Sequence, residues 1–367
     1  METTDLSSPD YWESESSDLR LNPRRPVDTD GLRGFLEGEP GLKASVVIAT
    51  SGSSGRAKFV VLPKAALLAS ARAVNAHCGL TSDDLWLGGL STVHVGGLGI
   101  HARAFCNGAR VRPMAWDSWT RDGSAFLDAL RSSQATLTSL TPAHLWDLVR
   151  SGTRPPDHLR GLFLGGGVID PILVGEAREL GWPVWPTYGM SETSSQIATS
   201  LDGDGTWLDL LPHWETRIEE DSGRLALRGP ALFAGSVERR GDDWIFAPAC
   251  DEEGWYTSGD RCEVECGRLR FVERADDAVK VLGELVSLSS LNACLTAFAI
   301  TGIVVALPDP RRGHELVLVR ERGGDSLARF NEQLTPLERV GREVEVAALP
   351  RTDIGKVDRL AAMAMAT

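Results

Sequence analysis

Between about residue 43 and residue 186, short apolar runs alternate with longer stretches of helical periodicity, and no other feature constrains the fold as tightly. Residues 46–49 predict a strand and 63–77 a helix closed by Gly79. Residues 85–90 predict a strand and 97–107 a helix closed by Gly108. A helix follows over 124–132 and a strand over 135–140. Thr141 then caps a helix with Pro142 in its first turn and Gly152 at its end. Residues 161–164 form a strand that runs into Gly165, Gly166 and Gly167. Asp170 and Pro171 open the next helix, and 184–186 is another strand. Strands separated by helices of this length predict an α/β sheet, largely parallel. Ligands of such sheets gather at loops leaving the carboxyl ends of strands, a position shared by the loops after residues 49, 164 and 186.

After about residue 205 the pattern changes to short strands and turns, at 224–228, 244–247, 261–265 and 268–272. Beyond Arg274 comes a mixed stretch of about ninety residues with apolar strands at 303–307 and 316–319. The expected organisation is an N-terminal tail and lead-in over 1–42 and a large α/β sheet domain over 43–273. That domain includes a small β subdomain from about 205, and a small α+β domain follows over 274–367. The first eighteen residues are polar and acidic, which predicts a frayed tail rather than a signal peptide.

The loop after residue 49 packs Thr50, Ser51, Gly52, Ser53, Ser54, Gly55 and Lys58 together. Glycines admit close backbone approach, successive N–H groups form anion-binding nests, and a lysine supplies a point charge for phosphate. A phosphate cradle and a Ser/Gly-rich surface turn both fit these residues. The arrangement is not a Walker A motif, because Lys58 follows Gly55 by three rather than standing beside a glycine. A net charge of −13 argues against nucleic acid as a partner, so a polyanion would be held by local donors. No apolar run approaches the roughly 20 residues of a membrane span. Six cysteines are scattered without a Cys-x-x-Cys pair, which predicts reduced thiols of a cytoplasmic protein, most of them core filler. Cys262 and Cys266 alternate within a strand pattern that places both on one face.

Residues Thr50 to Lys58 resemble the glycine-rich signature of the adenylate-forming superfamily of acyl-CoA synthetases, with Ala57 in place of its proline. Four further matches follow in the superfamily's order. They are Tyr188-Gly189-Met190-Ser191-Glu192, Tyr256-Thr257-Ser258-Gly259-Asp260, the run from Arg274 through Asp276 and Lys280 to Gly283-Glu284, and the run from Pro350 through Gly355-Lys356 to Arg359.

The resemblance implies formation of an acyl-adenylate from ATP and a carboxylic acid. Thr50, Ser51, Gly52, Ser53, Ser54, Gly55 and Lys58 would hold the β- and γ-phosphates, Ser191 the α-phosphate, and Glu192 the Mg²⁺ ion. Gly165, Gly166, Gly167, Tyr188 and Gly189 would flank adenine, and Asp260, with Arg274 beside it, the ribose hydroxyls. Lys356 would bridge the attacking carboxylate and the α-phosphate. The resemblance also implies a mobile C-terminal domain that turns at a hinge over 274–277, with Asp276 at its pivot. Lys280 and Gly283 would then be brought to the thiol of CoA.

His94 and the segment through Arg103 resemble the acyl-pocket region of compact o-succinylbenzoate–CoA ligases of menaquinone biosynthesis, as do the segments around Ser139 and Gly165. That substrate carries a second carboxylate, for which Arg103 would be the counter-ion, with Ser139 in the same pocket and His94 beside the reacting carboxyl. Ser287 through Leu291 replaces the acidic run that usually follows the Gly-Glu motif. Another aryl or short acyl acid, a carrier-protein thiol as acceptor, an inactive nucleotide-binding homologue and a homodimeric assembly are the alternatives the residues leave open.

Overall fold

The computed structural model describes residues 5–23, 27–51, 57–114, 119–120, 122–274, 278–282, 284–352 and 355–367. The chain divides into two compact units. The first comprises residues 1–219, 225–258 and 263–271, and the second 220–224, 259–262 and 272–367.

The parallel sheet expected from the alternation forms in the first unit. Its order is Arg110–Pro113, Leu85–Gly88, Leu137–Leu140, Gly161–Leu164, Val184–Met190 and Ser195–Thr199. Every neighbouring pair is parallel except the last, which is antiparallel. Register decides what each face carries, since residues aligned across a parallel sheet share a face. Leu87, Leu140, Leu162, Leu164 and Val184 lie on one face, buried beneath helices Ser124–Ser133, Pro142–Arg150 and Pro171–Glu179. Those helices point apolar residues at three- and four-residue spacing toward the sheet, such as Leu145 with Leu148 and Leu173 with Ala177. Burying each such leucine contributes about 1.5–3 kcal/mol. The opposite face carries Trp86, Leu137, Ser139, Phe163 and Trp185.

Three expectations are corrected. Residues 46–49 do not join the parallel sheet. Ser45–Ser51 and Ala57–Pro63 form an antiparallel hairpin, Thr50 opposite Lys58. Phe59, Val60, Val61 and Leu62 are all buried, the two-sided burial of a strand covered on both faces. Next, residues 243–248 pair with Gly235–Arg240 and extend the hairpin's sheet rather than the later β region. The later strands Leu208–Asp209, Arg268–Arg274, Tyr256–Glu265, Arg224–Arg228 and Glu215–Ile218 form a sheet of their own in that order. Finally, residues 5–20 are no frayed tail. Pro9–Glu13 is a short helix with Trp12 buried at 3% exposure, and Asp18–Arg20 pairs in parallel with the hairpin.

In the second unit, Gly302–Asp309 and Gly313–Glu321 pair antiparallel, and Arg342–Val346 adds in parallel. Val304, Leu316 and Leu318 share one cluster with Leu288, Leu291 and Leu295 of helix Leu288–Ala297. Val305, Val317 and Val319 share another with Ala362 and Ala366 of helix Arg359–Ala366. Continuous apolar strands follow from this two-sided burial. The thiols are free, but only Cys78 and Cys262 are buried. Cys266 is exposed in a left-handed turn (φ 49°) beyond its strand's last residue, Glu265, so the alternation expected to pair its face with that of Cys262 ends first. Among the described residues no helix is long and apolar enough to cross a membrane.

Candidate functional site

Helix Val95–Asn107 begins with glycines at 96, 97 and 99, an unfavourable composition for a helix. Its neighbours explain two of them. A Cβ on Gly97 would lie 2.2 Å from the Ser91 carbonyl oxygen. One on Gly99 would lie 3.2 Å from Ser195 Oγ and 3.3 Å from an Arg103 guanidinium nitrogen. His94 is the half-buried N-cap residue, and its carbonyl accepts from the Leu98 N–H at 3.0 Å.

Arg103, one turn beyond Gly99, is 2% exposed. Its guanidinium carbon lies 5.2 Å from the Trp86 ring and 5.2 Å from the Phe163 ring, both on the sheet face opposite the helical layer. No carboxylate among the described residues pairs with it, and its Nε has no hydrogen-bond partner. Burial pulls its pKa down to about 10, with Cys78 opposing weakly. Trp86 Nε1 and Ser139 Oγ are likewise buried without partners. Guanidinium and indole N–H groups only donate, so what this layer lacks is an acceptor. The sequence singled out Arg103 and Ser139 but not Trp86, Phe163 or Ser195, which read as ordinary strand residues; only sheet register brings them together.

The second group sits at the carboxyl ends of the parallel strands. A Cβ on Gly165 would strike Thr187 Oγ1 at 2.4 Å, a hydroxyl held by the Leu164 carbonyl at 3.1 Å. Gly166 has φ +78°, and a Cβ on Gly167 would reach Pro142 at 3.4 Å. At least two of these glycines therefore answer to internal geometry, beyond any room a ligand needs. Tyr188 is half-buried with its ring 5.8 Å from Phe271. At Gly189 the strand bulges, and a Cβ there would lie 1.7 Å from the Ser195 carbonyl oxygen. Ser191 and Glu192 occupy a short 3-10 turn, with Thr193 Oγ1 accepting from the Met190 N–H at 3.2 Å. Among the described residues no group of three His, Cys, Asp or Glu converges, so a bound Mg²⁺ would rely on Glu192 and phosphate oxygens. That donor set suits a hard, reluctantly dehydrated ion.

Thr50 and Lys58 face each other across the hairpin, Thr50 Oγ1 donating to the Lys58 carbonyl at 3.2 Å. Ser51 ends the first strand, while Gly52, Ser53, Ser54 and Gly55 lie outside the described residues, as do Asp276 and Gly283.

In the second unit, Asp260 is 7% exposed and its Oδ1 lies 3.2 Å from Arg274 Nε. Lys356 follows Gly355 (φ +77°) in a tight turn closed by Thr352 N–H to Lys356 carbonyl at 2.7 Å. Lys356 is an exposed residue. Desolvation holds its pKa below the ordinary lysine value, Arg274 adds to the effect, and Asp260 opposes it. Lys280 stands in hairpin strand Ala278–Val281, opposite Leu285.

Known proteins match this arrangement. The chain is 30% identical over 298 residues to a 2-succinylbenzoate–CoA ligase of Salmonella typhimurium, covering 77% of this chain and 62% of that protein. A ligase of the same name from Bacillus velezensis is 30% identical over 331 residues, covering 84% and 66%. The chain thus spans less than two thirds of the length of these relatives. An E. coli MenE variant with bound OSB-AMS superimposes with a TM-score of 0.74 at 25% identity, over 88% of this chain and 68% of that one. The o-succinylbenzoate CoA synthetase of Bacillus subtilis, in complex with the acyl-adenylate intermediate OSB-AMP, gives 0.72 at 25%, over 86% and 68%. The family model of AMP-binding enzymes matches residues 35–236, which hold the hairpin, the glycine-flanked Arg103 helix and the parallel sheet. On that match, which spans more than half of its residues, the chain belongs to the AMP-binding enzyme family.

Proposed function

We propose that this chain is an ATP-dependent acid–CoA ligase acting on o-succinylbenzoate. In the first step a carboxylate oxygen of the acid attacks the α-phosphorus of ATP and pyrophosphate leaves. In the second, the CoA thiolate attacks the acyl carbon and AMP leaves.

The observation that carries this reading is Arg103, a buried cation held against two adjoining aromatic rings with no carboxylate paired to it among the described residues. A dicarboxylic acid supplies what the fold withholds: one carboxylate reacts and the other pairs with the guanidinium. Ser139 donates to that same carboxylate. His94, nine residues before Arg103 at the helix start, stands by the reacting end and controls access of the thiol. Names of relatives at about 30% identity, and a fold neighbour bound to OSB-AMP, support the choice of acid.

The remaining roles fall to the motif residues. Thr50, Ser51, Lys58 and the intervening loop residues cradle the β- and γ-phosphates, Ser191 donates to the α-phosphate, and Glu192 is the carboxylate for Mg²⁺. Tyr188, Gly189 and Gly165–Gly167 make the adenine site. A B. subtilis relative in complex with ATP and magnesium ion supports ATP and Mg²⁺ as the ligands. In the second unit Asp260 accepts from the ribose hydroxyls with Arg274 alongside. Lys356 neutralises charge as the carboxylate meets the α-phosphate, a preorganised contribution of about 3 kcal/mol. Asp276 is the hinge, and Lys280 and Gly283 serve the thiol step.

Pyrophosphate release measured across a panel of carboxylic acids, with and without CoA, tests the proposal. o-Succinylbenzoate should give the highest rate, and CoA should convert the adenylate to thioester. Release with no acid in the panel would refute the ligase reading. A higher rate with a monocarboxylic acid would refute the choice of substrate.

A further inference from the structure

Helix Val95–Asn107 presents two faces with different tasks. Gly99 and Arg103 look toward Ser195 and the aromatic pair. Leu98, Ala102 and Phe105, spaced four and three apart, form the other stripe. Glycines at 96, 97 and 99 weaken the helix by about 1 kcal/mol each relative to alanine, so its position must come from packing.

The second stripe meets the N-terminal segment. Leu6 and Trp12 join Leu98 and Ala102 in one buried cluster, and the Trp12 ring stacks on Phe105 with centroids 5.8 Å apart. Trp12 is itself locked, its Nε1 donating to the Leu6 carbonyl at 2.9 Å. A second grip falls at the other end of the helix. Arg20 Nη1 donates to Thr92 Oγ1 at 3.1 Å, two residues before His94, while Arg20 Nε pairs with Asp18 at 2.7 Å. Asp18 also accepts from the Tyr11 hydroxyl at 2.8 Å, and buried Lys64 donates to the Tyr11 carbonyl at 2.6 Å. The segment is thus tied both to the hairpin sheet and to the long helix Lys64–Cys78.

We infer that residues 5–20 form a strap that positions the acid-binding helix, with Trp12 and Arg20 as positioning residues for His94 and Arg103. This rests on the reading of that helix as the acid site. The strap grips Thr92 and Phe105, which bracket His94 and Arg103 by two residues on either side. A small loss of register there moves both polar groups at once while leaving the nucleotide residues near 165 and 188 untouched.

The test combines kinetics with amide hydrogen exchange in Trp12→Ala, Trp12→Phe, Arg20→Gln, Thr92→Val and the Arg20→Gln/Thr92→Val double variant. Trp12→Ala should raise KM for o-succinylbenzoate about tenfold, as expected for misplacement of an orienting group, and KM for ATP less than about twofold. Trp12→Phe should restore most of the loss. Arg20→Gln and Thr92→Val should each raise the acid KM and combine non-additively, because they break one contact. Exchange should quicken across residues 92–105 but not in helix Ser124–Ser133. Equal changes in both KM values, or unchanged exchange over 92–105, would overturn the strap. If the wild type turns over no acid at all, the ligase reading fails, and the exchange pattern alone decides the strap. Should Trp12→Ala not fold, the Arg20–Thr92 pair carries the same decision.

Discussion

Among the described residues two arginines are buried, one in each unit, and they differ in what answers their charge. Arg320, 4% exposed, is satisfied by its own unit. Its Nη1 donates to the Asp325 carbonyl at 2.8 Å and pairs with Glu343 at 3.3 Å, while Nη2 donates to the Gly323 carbonyl. Arg103, 2% exposed, has aromatic faces but no carboxylate among the described residues. Desolvating a guanidinium costs several kcal/mol unless a partner repays it within the site. A satisfied buried cation serves the fold. One left unanswered is a cost that only a ligand removes, and the difference separates structure from function without reference to any relative.

The largest effect should come from a third cation, Lys356, in the role proposed for it at the reacting groups. Lys356→Ala should lower pyrophosphate release about 10²–10³-fold, the usual cost of losing one preorganised donor, while sparing thioester formation from supplied acyl-adenylate. Equal loss of both half-reactions would remove the division of labour between Lys356 and the thiol step.

Arg320→Met should cost about 3 kcal/mol in urea unfolding, because Glu343 and two carbonyls lose their donor, with KM for the acid unchanged. Arg103→Met should do the reverse. The free protein should be as stable as wild type or more so, while KM for o-succinylbenzoate rises about thirtyfold, near 2 kcal/mol for a lost charged hydrogen bond. o-Succinylbenzoate should raise the melting temperature of wild type but not of Arg103→Met. Destabilisation of both variants alike would erase the contrast between the two arginines.

The smallest effect concerns pH. Desolvation lowers the pKa of His101 to about 4, with Arg20 acting the same way and Asp5 opposing. His213, whose ring nitrogens are buried without partners, is lowered to about 4 by desolvation. Between these values and an unfolded pKa near about 6.5, the unfolded chain binds more protons. Stability should therefore be flat above about 6.5 and fall as pH drops toward about 4. His101→Gln and His213→Gln should each flatten that decline in urea midpoints, and an unchanged slope would show the two imidazoles to be solvated.

Much of the fold was legible because its causes are local. Gly79 and Gly108 close their helices in left-handed conformations, Asp170 accepts from the Ile172 N–H at 2.9 Å, and Thr141 caps the helix it precedes. The hairpin was missed because a four-residue apolar run carries no period that separates a strand from the edge of a helix. The N-terminal segment looked unfolded by its average composition, whereas buried Leu6 and Trp12, with the Tyr11 hydroxyl on Asp18, anchor it. At the candidate site, motif residues such as Asp260 with Arg274 stand out in the sequence and stand together in the structure. Trp86, Phe163 and Ser195 could not be found that way, since nothing near them in the chain distinguishes them from other strand residues.

The amino-acid order alone marked most strands and helices over residues 85–186 to within a few residues, though not the edge strand Arg110–Pro113, and showed which glycines, acids and lysines recur in the family's order. Those are short-range matters of backbone freedom, capping and periodicity. Tertiary structure alone decided that Arg103 is buried against two adjoining rings with no counter-ion among the described residues, and that Trp12 stacks on Phe105, 93 residues further along the chain. A charge's energy depends on what surrounds it in space, and strands far apart in sequence choose those surroundings through register.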